Sequence, residues 1–357
     1  MKERKTSLEL LRIISICLVI FCHLYIYNGV FYQEFTPNSI ISLFICAGNS
    51  VPCDYIFIGT SSYFLIKKKN EWHPKRLLTF LALVGTLWVL KMAVLRGLFG
   101  FHNTKYFIDL FLINGAWWYA LQYSLMLLYY PLLNKLIYRE KPGALYLCTA
   151  VLAVPYIING VTNDMNDLND LIMFVFTYLV MGCLYVHPPK WDFLHRHKKA
   201  ILIGLALICN LGMLISCVYT KLPASGIDLK VGNDFIWHII GRYCAPAMVV
   251  GLCIFELFRE WDMPQSKMVF SLSKLTIYVF LLHETTMGLF WYFEKCWNTL
   301  NYIPVPEFLF WSVMYIVGCF AFAALVHKLY TMMIEPLWNK LIKKICTTYD
   351  TCIANKS

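Results

Sequence analysis

Arg12 and His23 are the two polar side chains of chemical interest in the first apolar stretch, residues 8–28. They are eleven residues apart, which is within about 20° of three full helical turns, so both side chains leave a helix on one face. The rise between them is about 16 Å, roughly half of a ~30 Å hydrocarbon core. An arginine can hold an anionic ligand and a histidine can act as a general base at neutral pH. The simpler alternative is a histidine that only hydrogen-bonds a neighbouring helix.

Three more ionisable residues lie in later apolar stretches. His283 and Glu284 are adjacent, so they do not share a helix face, and structural and functional roles are equally open for them. Arg242 either extends to the membrane interface or faces a cavity, where it would position substrate. The cavity is favoured because Gly241 and Pro246 indicate a distorted helix around it.

The remaining candidates each have a structural explanation as well as a functional one. Lys75 and Arg76 lie in the basic segment 67–76, which suits either anionic lipid headgroups or a phosphate-rich cofactor. Trp118 begins another apolar stretch, where an interfacial aromatic belt is the default explanation. The small residues 59–62 favour close helix packing, because a nucleophilic serine elbow needs a strand–turn–helix setting.

The composition indicates the elements that position these residues. The 357 residues are 59% hydrophobic and 15% charged, with a mean hydropathy of +0.58, whereas soluble domains are about 25% charged. We therefore predict an all-α polytopic membrane helical bundle, formed by one domain over residues 1–357 with no appended soluble domain. The ten predicted spans are 8–28, 51–66, 77–95, 117–137, 144–160, 171–187, 200–219, 235–257, 270–293 and 307–334.

The basic residues indicate the topology of this bundle. Of the 31 Lys and Arg residues, 21 lie on the side of the N-terminus and 6 on the opposite side, which predicts that both termini are cytoplasmic. The net charge of +10 therefore reflects topology, and no nucleic-acid partner is expected. The 14 cysteines lie mostly inside apolar stretches without CxxC pairs, so we expect them to pack in the core and expect no metal site.

Five motifs in order resemble the acyltransferase-3 family of integral-membrane acyltransferases, in particular bacterial polysaccharide O-acetyltransferases. The resemblance covers nearly the whole chain. Two departures are Ser62, where the family has glycine, and Thr79, where a second arginine would follow Lys75–Arg76. The motifs are LELLRIISICLVIFCH (8–23), YIFIGTSSYFLIKKK (55–69), AWWYALQYSLMLLYYPLLNKLI (116–137), SLSKLTIYVFLLHE (271–284) and EPLWNKLIKK (335–344).

The resemblance implies a function as well as a fold. It implies transfer of an acetyl or other short acyl group from cytoplasmic acyl-CoA to a hydroxyl of a polysaccharide or lipid-linked sugar, in the bacterial inner membrane. The leading alternative is a transporter or flippase of a lipid-linked sugar or anionic solute, and a third is a membrane sensor. The residues assigned are His23 and His283 to catalysis, Arg12, Lys75 and Arg76 to acyl-CoA, and Arg242, Trp118 and Glu284 to substrate binding.

Overall fold

The computed structural model describes residues 5–27, 36–46, 51–68, 74–99, 118–162, 167–188, 196–221, 243–292 and 303–354, in which all regular secondary structure is helical. A π-helical turn, Tyr330–Ile334, joins the last two helices without a break. The helices are α1 (Thr6–Tyr27), α2 (Pro37–Ile45), α3 (Val51–Ile66), α4 (Pro74–Phe99), α5 (Trp118–Arg139), α6 (Pro142–Thr162), α7 (Asp167–Tyr185), α8 (Lys198–Lys221), α9 (Ala245–Glu260), α10 (Lys267–Tyr292), α11 (Val305–Leu329) and α12 (Glu335–Ala354).

Each of the ten predicted spans coincides with one of these helices, which confirms the all-α membrane class. Six of the helices described are long and apolar enough to cross a membrane: α1, α4, α6, α7, α8 and the continuous α11–α12. The number of crossings and the side of the termini stay predictions. Of the span predicted over 235–257, residues 235–242 lie outside the described residues; α9 begins at Ala245, with Pro246 in the first turn where its missing N–H is tolerated.

Helix α3 lies at the centre of the bundle and packs closely against α9. A Cβ added to Gly251 of α9 would lie 2.5 Å from the Pro52 carbonyl oxygen of α3, so only glycine allows this approach. Gly59 of α3 likewise meets the Leu252 side chain of α9, which confirms the packing role predicted for this small residue. The 12 cysteines whose side chains are described are all free, and most are buried in the core.

Charged side chains join the helix ends at one end of the bundle. Lys198 at the start of α8 forms ion pairs with Glu256 and, at 2.6 Å, with Glu260 of α9. Arg259 also pairs with Glu256 at 2.6 Å. Lys5, just before α1, donates from Nζ to the Arg259 carbonyl oxygen at 3.0 Å. We call this end, where α1 and α8 begin and α9 ends, the basic end of the bundle.

Candidate active site

His23 and His283 form a buried pair where α1 packs against α10. The Nδ1 atom of His23 lies 2.8 Å from Nε2 of His283, and the two rings stack with centroids 5.0 Å apart. His283 is only 1% exposed, and His23 is half-buried. The sequence selects both residues but gives no sign of their contact, because they are 260 positions apart.

Hydrogen bonds to the backbone determine which nitrogen of His283 carries a proton. Its Nδ1 atom lies 2.7 Å from the Phe280 carbonyl oxygen and 3.1 Å from that of Val279. A carbonyl only accepts, so Nδ1 carries the hydrogen, and Nε2 of the neutral ring has the lone pair. That lone pair accepts a hydrogen bond from Nδ1–H of His23. The basic lone pair of His23 therefore lies on its Nε2 atom.

A cavity of about 290 Å³ runs between α1, α3, α4, α5 and α10. Its wall on α3 extends from Asp54 to Phe64, and ten residues of helix correspond to about 15 Å. The cavity is therefore elongated along the bundle axis. The apolar side chains that line it include Val19, Phe57, Phe80, Leu83, Ile277 and Phe280.

Two arginines from different helices line the end of this cavity that faces the basic end of the bundle. Arg12 of α1 donates from Nη1 to Glu9 Oε2 at 3.1 Å and from Nη2 to Thr276 Oγ1 at 3.2 Å. Arg76 of α4 donates from Nη2 to the Tyr123 hydroxyl at 3.1 Å. These contacts fix both guanidinium groups, and their positive charge suits an anionic ligand.

Two buried polar atoms of cavity-lining residues have no hydrogen-bond partner in the described part of the chain. They are Nη1 of Arg76 and Oγ1 of Thr60. A buried polar group without a partner is unfavourable by about 1–3 kcal/mol, so such groups are normally satisfied. Both residues line the cavity, although the two atoms themselves are buried.

The deep end of the cavity adjoins the histidine pair. On α1 the deepest lining residue is Val19, four residues before His23. On α10 it is Phe280, three residues before His283. Both separations are about one helical turn, or roughly 5–6 Å along the axis. A ligand held by the arginines and extended along the cavity therefore points toward the histidine pair.

The other predicted site residues are placed differently. Lys75 is exposed and is not among the lining residues, in contrast to its neighbour Arg76. Trp118 packs on Tyr119, with ring centroids 5.8 Å apart. Tyr119 lines the cavity and is 9% exposed, so this neighbour of Trp118 faces the interior of the bundle. Arg242 and the Glu284 side chain lie outside the described residues, so their roles stay predictions.

Sequence reasoning missed several residues of this site. Glu9 and Asp54 carried a usable signal, because Glu9 precedes Arg12 by three residues on one helix face and Asp54 is an acid within an apolar stretch. Thr60 and Tyr123 carried none, since only tertiary packing brings them to the cavity. Ser61 also lines the cavity, and its hydroxyl lies 3.2 Å from that of Tyr119.

Fold and site together define a class of protein. It is a multi-pass helical membrane protein whose internal cavity has two arginines at one end and adjoins a buried histidine pair. The family model described as the acyltransferase domain of the acyltransferase-3 family matches residues 5–326, and the chain belongs to that family. This match confirms the family predicted from the five motifs. No curated protein and no solved structure gives a significant match.

Proposed function

We propose that the chain is a membrane-embedded O-acyltransferase that moves an acetyl or other short acyl group from acyl-CoA to a hydroxyl of a cell-surface polysaccharide or lipid-linked sugar. One observation carries the proposal: the elongated cavity has two arginines at one end and adjoins the His23–His283 pair at the other. Membership in an acyltransferase family supports acyl transfer as the reaction.

The cavity suits an acyl-CoA donor. Such a donor has an anionic nucleotide and a long thin arm that ends in the thioester. Arg12 and Arg76 provide positive charge where the anionic part would bind, and the narrow aromatic wall suits the arm. Thr60 and Arg76 are polar residues of the cavity wall, which suits the polar groups of that arm. Lys75 lies at the same helix start and would attract the nucleotide electrostatically.

The proposed topology places the donor end of the cavity at the cytoplasm. Acyl-CoA is made there, and the basic end of the bundle would face it under the positive-inside rule. Lys5, Lys198 and Arg259 lie together at that end, which supports this orientation. The histidine pair would then lie deeper, toward the opposite face, where a surface glycan or its lipid-linked precursor would approach.

His23 is the proposed general base. Its Nε2 atom takes the proton from the acceptor hydroxyl, whose oxygen then bonds to the acyl carbon. The thioester supplies that carbon, and its carbon–sulfur bond is the bond that breaks. His23 returns the proton to the departing thiolate, so the ring ends as it began. Arg242, Trp118 and Glu284 stay candidates for holding the acceptor.

His283 is proposed to orient His23 and to stabilise its charged form. Its Nε2 lone pair accepts from Nδ1–H of His23, and this bond strengthens when His23 becomes positively charged. The Phe280 carbonyl keeps the His283 ring in the tautomer that can accept. The pair therefore works as a base and its support, with the acceptor proton moving only to and from His23.

Acyl transfer is tested with the purified chain in lipid nanodiscs. Acetyl-CoA labelled in the acetyl group is incubated with glycan precursor extracted from cells that lack the gene, and label in the glycan is measured. Wild-type protein should transfer label, and an equally abundant His23→Ala protein should not. Movement of a lipid-linked sugar in vesicles without CoA, with no label transfer, would instead support the transporter alternative. Mass spectrometry of surface glycans from cells with and without the gene then identifies the acceptor.

A further inference from the structure

Helix α12 lies beyond residue 326, where the family match ends, and has an unusual surface. One face packs on α4: Ile342 and Cys346 contact Ala82, and Trp338 Nε1 donates to Thr86 Oγ1 at 3.0 Å. The adjacent face is exposed but apolar. Its residues Leu337, Leu341 and Ile345 follow at four-residue intervals and are 71%, 47% and 43% exposed.

Lysines flank this exposed apolar stripe. Lys340, Lys343 and Lys344 are exposed and lie on the remaining arc of the helix, with Lys340 and Lys344 next to the stripe. An apolar stripe beside a row of lysines fits a phospholipid, because acyl chains cover the stripe while anionic headgroups pair with the ammonium groups. The lysine stems also extend along apolar surface while their charges reach the headgroups.

The length of the helix shows that it extends beyond the membrane core. The helix is continuous over Val305–Thr351, and its 47 residues correspond to about 70 Å. That is more than twice a ~30 Å hydrocarbon core, and α11 alone is long enough to cross it. A helix of this length cannot lie within the core throughout, and the three lysines after α11 are the part of it suited to headgroups.

Helix α4 separates α12 from the cavity. Leu78, Ala82 and Thr86 face α12, whereas Phe80 and Leu83 line the cavity. Residues two apart point to nearly opposite sides of a helix, so α4 is a wall one helix thick. A lipid held by α12 would therefore stabilise the wall that carries Arg76.

We propose that α12 binds anionic phospholipid of the adjacent leaflet through Leu337, Leu341 and Ile345 together with the three lysines, and thereby holds α4 in place at the donor cavity. The lipid-binding part stands on α12 alone. The effect on the donor rests on the proposed acyl-transfer function.

The lipid-binding part is tested without any activity. The full chain is reconstituted with phosphatidylcholine alone or with an equal part of phosphatidylglycerol, and retained phosphatidylglycerol is measured by native mass spectrometry. The variant K340Q/K343Q/K344Q should lose about fivefold in phosphatidylglycerol affinity for each lysine removed. The control K141Q/K199Q/K267Q removes three exposed lysines at the ends of other helices and should lose much less phosphatidylglycerol affinity than K340Q/K343Q/K344Q. If the two lysine variants retained the same amount of phosphatidylglycerol, the proposal would be overturned.

The effect on α4 is tested by donor kinetics in the same nanodiscs. Phosphatidylglycerol should lower the KM for acetyl-CoA of the wild-type chain without changing kcat, and K340Q/K343Q/K344Q should lose this response. A response that persists in that variant would refute the link to α4. If neither the wild-type chain nor the variant transfers acetyl groups, the proposed function fails while the lipid measurement still stands. Cross-linked dimers that Leu341→Glu abolishes, with no lysine-dependent lipid preference, would show that a second copy covers this face and would overturn the proposal.

Discussion

The 2.8 Å contact between Nδ1 of His23 and Nε2 of His283 links the first helix of the chain to one near its end. Each ring alone has an ordinary structural explanation, as a histidine that bonds a neighbouring helix. The Phe280 carbonyl changes this interpretation, because it makes His283 an acceptor toward His23 and leaves the basic lone pair on the outer nitrogen of His23.

Replacing His23 or His283 should impair catalysis, and the loss of His23 should have the larger effect. His23→Ala should reduce kcat about 10²–10⁴-fold, because the proposed general base is lost. His283→Phe keeps an aromatic ring of similar size but removes both nitrogens, and should reduce kcat by a smaller factor while the KM for acetyl-CoA changes little. Steady-state kinetics in nanodiscs measures both values, and thermal unfolding checks that the variants fold. Wild-type kcat in His283→Phe would contradict the supporting role.

Arg12→Lys should weaken use of the donor even though the charge is kept. The guanidinium reaches Glu9 with one nitrogen and Thr276 with the other, and a single ammonium cannot reproduce this fork. We expect the KM for acetyl-CoA to rise about tenfold, as for loss of a charge-assisted hydrogen bond, and the acceptor KM to stay near its wild-type value. Arg139→Lys, at an exposed position on α5, is the matched control. A larger effect on the acceptor KM would argue against donor binding.

Substitutions of the two adjacent basic residues at the start of α4 should have very different effects on the KM for acetyl-CoA. Arg76→Gln removes a cavity-lining charge that also bonds Tyr123, so the KM for acetyl-CoA should rise about tenfold or more. Lys75→Gln removes an exposed charge, and its effect should be small and should vanish at high salt. Titrating acetyl-CoA at two ionic strengths separates the two roles. Equal effects of both substitutions would mean that only the charge of this segment matters.

Ser61→Ala should retain most of the activity. Ser61 lines the cavity, but its described hydrogen bond is to the Tyr119 hydroxyl, which is not a base at neutral pH. Loss of one neutral hydrogen bond is worth about 0.5–1.5 kcal/mol, so activity should stay within about tenfold of the wild type. A covalent acyl-Ser61 species in mass spectra, together with loss of transfer, would instead identify Ser61 as a nucleophile.

Gly251→Ala should destabilise the bundle. The added methyl group would lie 2.5 Å from the Pro52 carbonyl oxygen and 2.8 Å from Tyr55 Cβ, so α3 and α9 must separate. Overpacking of this kind typically destabilises by about 1–3 kcal/mol. Gly318→Ala is the control, because in the described part of the chain nothing beyond its own helix backbone lies within 4 Å of its added Cβ, and alanine favours the helix by about 0.5–1 kcal/mol. Thermal unfolding in detergent should show a lower Tm for Gly251→Ala alone.

The sequence was sufficient for ten of the twelve described helices and for part of the candidate site. Hydropathy located each predicted span, and a polar residue in an apolar stretch is conspicuous, so Arg12, His23 and His283 were found directly. Their arrangement was not predictable, because the packing of α1 against α10 joins positions more than 250 residues apart. The resemblance to a family supplied the reaction, and tertiary structure supplied the cavity.

Two local features show why the remainder was missed. No helix is predicted after residue 334, although Leu337, Leu341 and Ile345 have helical spacing, because α12 is too polar to count as a span. Tyr119 follows two tryptophans, which favours the membrane interface, and only the packing of α5 against α3 shows that it lines the cavity.

The unbroken course of α1 has a consequence for which donors the protein can use. Arg12 and His23 belong to one helix, so the distance from the proposed anion-binding charge to the proposed base is set by the helix itself, and domain motion cannot adjust it. The helix acts as a fixed spacer of about 16 Å. A donor whose arm is too short or too long would place either its anionic group at Arg12 or its thioester at His23, but not both. We therefore expect selection among thioesters to depend on the length of this arm as much as on the acyl group. An acetyl thioester with a truncated arm should be a poor substrate even at saturating concentration.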